Sequence, residues 1–323
     1  MPAATHITSS RTALSPLLPL ARYRLTFRAA DDLRLPAYTG SAWRGAFGHA
    51  LKRLVCATRE PTCPPCLLYR SCLYPYVFET PPDPGVGKLT RYTAAPHPYV
   101  LVPDEHGGAI ARGATLTLDV TLFGHGNRHL PYVIHALSQA GQHGLGRGRG
   151  ALDLARVAQH DGADWHPIFA PGEGFSPLPA VAPTPPPLPE RFTLRLLAPL
   201  RLTHEERLVS QDRFRFHLLF SSLLRRISLL TAFHTDDPLE TDFAGLTQAA
   251  RTVELAGARL RWHDWTRHSS RQDALIQMGG LVGEIELDGA GLEPFWPYLW
   301  LGQWTHAGKG AVMGLGRYRI DGM

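Results

Sequence analysis

The stretch "RYRLTFRA" at 22–29 places apolar residues at every second position with polar, mostly arginine, residues between them, the period of a half-buried strand. A polar loop follows, and then "TGSAWRGAFGHALKRLV" at 39–55 takes up a helical period with a face of small residues. The same plan returns in the second half, where "RFTLRLLA" (191–198) reads as a strand and "DRFRFHLLFSSLLRRISLLTAF" (212–233) as a helix. The halves also end alike. "LPYVIHALSQAGQHGLGRGRGALDLARV" (130–157) and "FWPYLWLGQWTHAGKGAVMGLGRYRI" (295–320) each run Pro-Tyr, apolar helix, histidine, glycine-rich basic loop and strand. Between the halves lies "APTPPPLPE" (182–190), which can neither continue a helix nor pair as a central strand. The pattern predicts an α+β protein of two tandem ferredoxin-like (RRM-like) domains. These would occupy 1–181 and 191–323, each built as strand–helix–strand–strand–helix–strand, joined by the proline-rich linker.

Composition changes this picture little. At 323 residues, with 44% apolar and 19% charged positions, the chain can fill two ordinary cores. A formal net charge of +5 favours an anionic partner. Only Lys52, Lys88 and Lys309 among the 33 cations are lysine, a bias that a GC-rich genome produces without any function behind it. The segment "ALSPLLPLA" (13–21) is too short and too broken by proline for a secretory core. No apolar run reads as the roughly 20 residues of a bilayer span. The expectation is a soluble, cytoplasmic protein with no membrane partner.

Candidate chemistry concentrates in two places. The loops "GLGRGRG" (144–150) and "GKGAVMGLGR" (308–317) combine Gly308, Gly310, Gly314 and Gly316 with the cations Arg147, Arg149, Lys309 and Arg317. This is no P-loop, because Lys309 is followed by glycine rather than Ser or Thr. Bare backbone beside cations suits close approach to a phosphate chain, whereas a tight turn alone needs only one or two glycines. The second place is "CATREPTCPPCLLYRSC", which holds every cysteine of the chain, Cys56, Cys63, Cys66 and Cys72. The Cys63–Cys66 pair has knuckle spacing, and four thiolates suit structural zinc, with an iron–sulfur cluster as the alternative. The cysteine run is expected to form a metal-binding insertion in the first domain.

Taken together, "WTHAGKGAVMGLGRYRI", "RHSSRQDALIQMGGLVGEIEL" (267–287) and "GSAWRGAFGHALKRLVC" (40–56) resemble the CRISPR-associated pre-crRNA-processing endoribonucleases of the RAMP superfamily. The resemblance runs over most of the chain. It implies a protein that binds the repeat RNA of a CRISPR transcript and cuts it once with no catalytic metal. Other subunits of a CRISPR effector complex are possible partners. It further implies RNA contacts from Arg44, Arg267, Arg271 and Gln272, and a catalytic set of Tyr38, His49 and Lys52. His49 also stands out by position, one helical turn before Lys52 and Arg53 on the same face. His306, just ahead of the second glycine loop, is the alternative base. Trp262 and Trp265 can stack on bases or belong to a core. His217 falls on a polar helix stripe and His97 in a loop. Two rival readings are a RAMP-type subunit that holds guide RNA without cutting it, and a metalloenzyme working at the cysteines. The second is disfavoured, since four cysteine ligands leave no open position.

Overall fold

The computed structural model describes residues 17–81, 95–104, 107–146, 148–269 and 274–322. In the first half, strand β1 (Leu20–Ala29) leads into helix α1 (Gly40–Val55), then β2 (Tyr99–Pro103), β3 (Thr115–Phe123), α2 (Leu130–Gln142) and β4 (Leu152–His160), with β5 (Trp165–Phe169) added as a hairpin. The sheet order is β2-β3-β1-β4-β5, antiparallel throughout. In the second half β6 (Arg191–Leu200), α3 (Phe216–His234), β7 (Gly257–His263), β8 (Gly280–Asp288), α4 (Trp296–Thr305) and β9 (Tyr318–Asp321) give the order β7-β8-β6-β9. Leaving β5 aside, each half therefore sets its own second, third, first and fourth strands side by side. The repeated hydrophobic pattern has this topology as its physical content, because both helices of each half cover one face of its sheet.

The alternation in β1 works as the sequence suggests. Tyr23, Leu25 and Phe27 are buried with Trp43, Phe47 and Leu51 of α1, while Arg22, Arg24 and Thr26 take the opposite face. Helix α1 stops at Cys56, whose backbone turns extended (φ −77°, ψ 104°). Helix α3 begins four residues later than its periodicity predicts. Arg215 is extended (φ −141°) and turns its guanidinium onto the carbonyls of Asp212 and Phe214 instead of entering the helix.

Two further departures concern layering. The second core is not confined to the second half: Leu18, Leu20, Val100 and Phe123 are buried with Phe192, Leu194, Phe220 and Leu223. One end of the first sheet is thus sealed by the second half. Helix α3, at 19 residues, is also long and apolar enough to cross a membrane by length and composition, which qualifies the expectation that no segment is. Its apolar side chains Leu219, Phe220, Leu223 and Ile227 are spent inside that second core.

Candidate nucleic-acid interface

The second glycine loop lies where the two halves meet. Gly308, Gly310, Gly314 and Gly316 all have positive φ (76°, 81°, 93° and 64°), a region that any Cβ disfavours. At Gly314 a Cβ would stand 2.8 Å from both the Leu101 carbonyl oxygen and the Tyr38 hydroxyl, in the first half. A methyl on Gly316 would drive into the Ala307 carbonyl oxygen. The loop's own fold therefore calls for all four glycines. Its amides are largely used internally: Gly308 donates to Ser222 Oγ (3.0 Å), Lys309 to the Arg201 carbonyl (2.8 Å) and Gly316 to the Pro199 carbonyl (3.0 Å). What the loop offers a ligand is charge, with the Lys309 side chain exposed and Arg317 half-buried.

Tyr38 anchors this loop from the first half. Its hydroxyl donates to the Met313 carbonyl, and its ring packs on Trp265 with centroids 4.9 Å apart. Burial pushes the phenol pKa up, with Arg317 opposing that shift. Burial lowers the pKa of Arg22 of β1, Asp119 opposes that shift, and repulsion from Arg24 and Arg317 adds to it. Arg22 belongs to a cationic sheet face that the sequence reading passed over. Arg24 stacks over Trp165 at 4.2 Å and Arg22 at 5.5 Å, and Arg24 is held by Asp119 at 2.7 Å. The arginines between the apolar residues of "RYRLTFRA" were the available signal, since they all leave the strand on the face away from α1 and α2. The second sheet differs. There Arg195, Arg259 and Arg319 are matched by Glu284, Glu286 and Asp321 in one network, which cancels their charge.

The catalytic residues implied by the resemblance do not converge. His49 is exposed on the outer face of α1, nine residues beyond the helix start. At 1.5 Å per residue it sits about 14 Å along the axis from the end that carries Tyr38. Lys52 follows His49 on that face, but its ammonium donates to the Pro61 carbonyl at 3.0 Å and faces the Tyr74 ring. Arg44 points into an aromatic nest, 4.5 Å over Phe78 and 3.0 Å from His97 Nε2. Arg149 is exposed with φ 49°. Arg267 lies on a short strand, Thr266–Ser269, paired with Ala274–Gln277. Arg147, Arg271 and Gln272 lie outside the described residues. Trp262 is half-buried against the second core and donates to Asp264 at 2.8 Å.

His306 has a structural setting. It is 2% exposed, its Nδ1 meets the Leu315 carbonyl at 3.2 Å, and burial lowers its pKa to about 3. His234, also 2% exposed, bridges Tyr76 and the Pro96 carbonyl, and burial lowers it to about 4. Both rings are neutral when folded, whereas in the unfolded chain they titrate near 6.5. The unfolded state then binds protons that the folded state refuses, so stability is full above about pH 6.5 and falls as pH drops below it. At pH 5 the two histidines together remove about 4 kcal/mol. Calorimetry at pH 7.5 and pH 5.0 is expected to show a clearly lower Tm in acid, and an unchanged Tm would contradict the assignment.

Comparisons with known proteins agree with this architecture. Residues 194–318 match the family described as CRISPR-associated endoribonuclease Cas6, and residues 18–182 match the N-terminal-domain family AF_1859_N. Residues 194–318 thereby belong to the Cas6 family of CRISPR-associated endoribonucleases. Among solved structures, a Cas6 product complex superposes with TM-score 0.57 at 20% identity, covering 94% of this chain and 99% of the other. Thermus thermophilus Cas6 superposes with TM-score 0.54 at 19% identity, covering 94% and 98%. A partial Cas6-RT-Cas1–Cas2 complex gives TM-score 0.57 at 13% identity, covering 96% of this chain and 47% of that one. An uncharacterized protein of Archaeoglobus fulgidus is 30% identical over 112 residues, 34% of this chain and 37% of that relative's length. At these identities the solved structures establish a shared mixed α/β fold with antiparallel sheets. The Cas6 family assignment adds CRISPR RNA processing as the setting in which this fold works.

Proposed function

We propose that this Cas6-family chain, as two ferredoxin-like halves, binds the repeat RNA of a CRISPR transcript and cuts it once by attack of a ribose 2′-hydroxyl. The observation that carries the reading is the second glycine loop, wedged between the halves with Lys309 exposed and Arg317 near Tyr38 and the half-buried Arg22 of β1. A ribose-phosphate chain laid along that junction meets cations from both halves, while the neutralised second sheet repels nothing and attracts little. Trp165, Tyr38 and Trp265 lie beside those cations, where unstacked bases can rest on aromatic rings.

Cleavage by this route needs a base for the 2′-hydroxyl proton, an acid for the departing 5′-oxygen and positive charge on the phosphorane between. The 2′-hydroxyl gives its proton to the base and its oxygen bonds to phosphorus as the bond from phosphorus to the 5′-oxygen breaks. The 5′-oxygen takes a proton from water, leaving a 2′,3′-cyclic phosphate and a 5′-hydroxyl. His49 takes the base role, because its ring is accessible, whereas His306 is enclosed and its burial disfavours accepting a proton. Tyr38 and the loop cations then act as the hold. The scissile bond would lie a few nucleotides along the chain from them, over the outer face of α1. Lys52 takes part only by leaving the Pro61 carbonyl.

Purified protein incubated with its own array's repeat in EDTA is expected to yield these ends, read by end-group mapping. Cutting that requires added magnesium would overturn the mechanism. The separation of Tyr38, His49 and Lys52 favours one rival, a guide-RNA-holding subunit that does not cut. Tight repeat binding with intact RNA recovered under both conditions would establish it.

A further inference from the structure

Residues 57–72 form an excursion after α1 with no helix or strand, and Cys63 is its one buried residue. A turn-only segment of this length without a core of its own needs some other tie. Cys56, Cys63, Cys66 and Cys72 all line one small cavity of about 20 Å³, room for a single water or ion. The Cys63–Cys66 turn is closed by the Cys66 amide donating to the Cys63 carbonyl at 2.9 Å, and Thr58 Oγ1 lies 3.2 Å from Cys66 Sγ. Lys52 reaches into the same wall from α1. As they stand, no three His, Cys, Asp or Glu side chains among the described residues are drawn together as a ligand set. Four cysteine side chains have no mutual attraction that would draw them together. An ion bound by their sulfurs supplies it.

We infer that Cys56, Cys63, Cys66 and Cys72 bind one zinc ion tetrahedrally, which pins the excursion to the C-terminal end of α1. On binding, each thiol gives its proton to solvent and its sulfur a lone pair to the metal. Lys52 offsets part of the double negative charge of a four-thiolate zinc centre, and the Thr58 hydroxyl is placed to brace Cys66. With all four positions filled by protein, the ion is structural and takes no part in RNA chemistry.

The test is metal content and cobalt spectroscopy on the full chain, so its outcome is independent of RNA cutting. Protein expressed with zinc and purified without chelators is expected to carry about one zinc per chain, released when a mercurial titrates the thiols. Cobalt(II) added to the metal-free protein should give the visible bands of a tetrahedral thiolate site, and zinc should displace them. Cys63→Ser and Cys66→Ser should lose both the zinc and those bands. The mercurial release needs no variant, so it remains decisive if either substitution prevents folding. Protein free of zinc that gives only weak octahedral cobalt bands overturns the inference, as does bound iron with sulfide and its visible absorption.

Discussion

His49→Ala is expected to slow repeat cleavage by about 10²–10⁴-fold, the usual contribution of a positioned general base, with repeat affinity unchanged within about twofold. The ring is exposed on α1, outside the helix's buried set, so its removal leaves the buried face of the helix intact. Alanine is also the better helix former. Single-turnover cutting rates and filter-binding affinities separate the two effects, and an unaltered Tm excludes a folding defect. If His49→Ala cuts as fast as the parent chain, the base lies elsewhere. His306 would then need a loop opening before it could act, because the glycine loop closes over it.

Gly316→Ala is the second large effect, and it acts on the hold rather than the cut. The left-handed backbone at φ 64° costs alanine about 1–2 kcal/mol, and the new methyl also meets the Ala307 carbonyl, which belongs to backbone and cannot swing aside. The loop must shift, carrying Lys309 with it and moving Arg317 away from Tyr38. Repeat affinity is expected to fall by about tenfold or more, with a lower Tm. Gly148→Ala in the first half's loop is the matched control. That glycine has ordinary φ and open space where the methyl would go, so the change should leave both readouts alone. Equal losses in the two variants would mean that the second loop holds no special place in binding.

Much of the scaffold was legible along the chain. The alternation in "RYRLTFRA" and "RFTLRLLA", and the recurrence of helix, glycine loop and strand at each half's end, correspond to β1, β6 and the α2–β4 and α4–β9 units. These features are local. A strand's period and a helix's apolar face follow from side-chain geometry over a few residues, so composition and spacing reveal them. The glycine loop was visible for the same reason, and its glycines also answer the fold's own crowding.

Only the tertiary structure decided how those pieces meet. Arg22 near Arg317, Tyr38 under Met313 and Trp265, and the pairing of Arg195 with Glu284 join residues that are tens to hundreds of positions apart. The helix period put His49 and Lys52 on one face, yet it could not show that Lys52 would turn to the cysteine excursion or that Tyr38 would stand at the far end of the helix. The sequence by itself determined two like-built halves, a glycine-rich basic loop and a four-cysteine run. Packing decided which cations stay uncancelled and which histidines are locked away neutral, because charge and proton affinity depend on neighbours brought by distant segments.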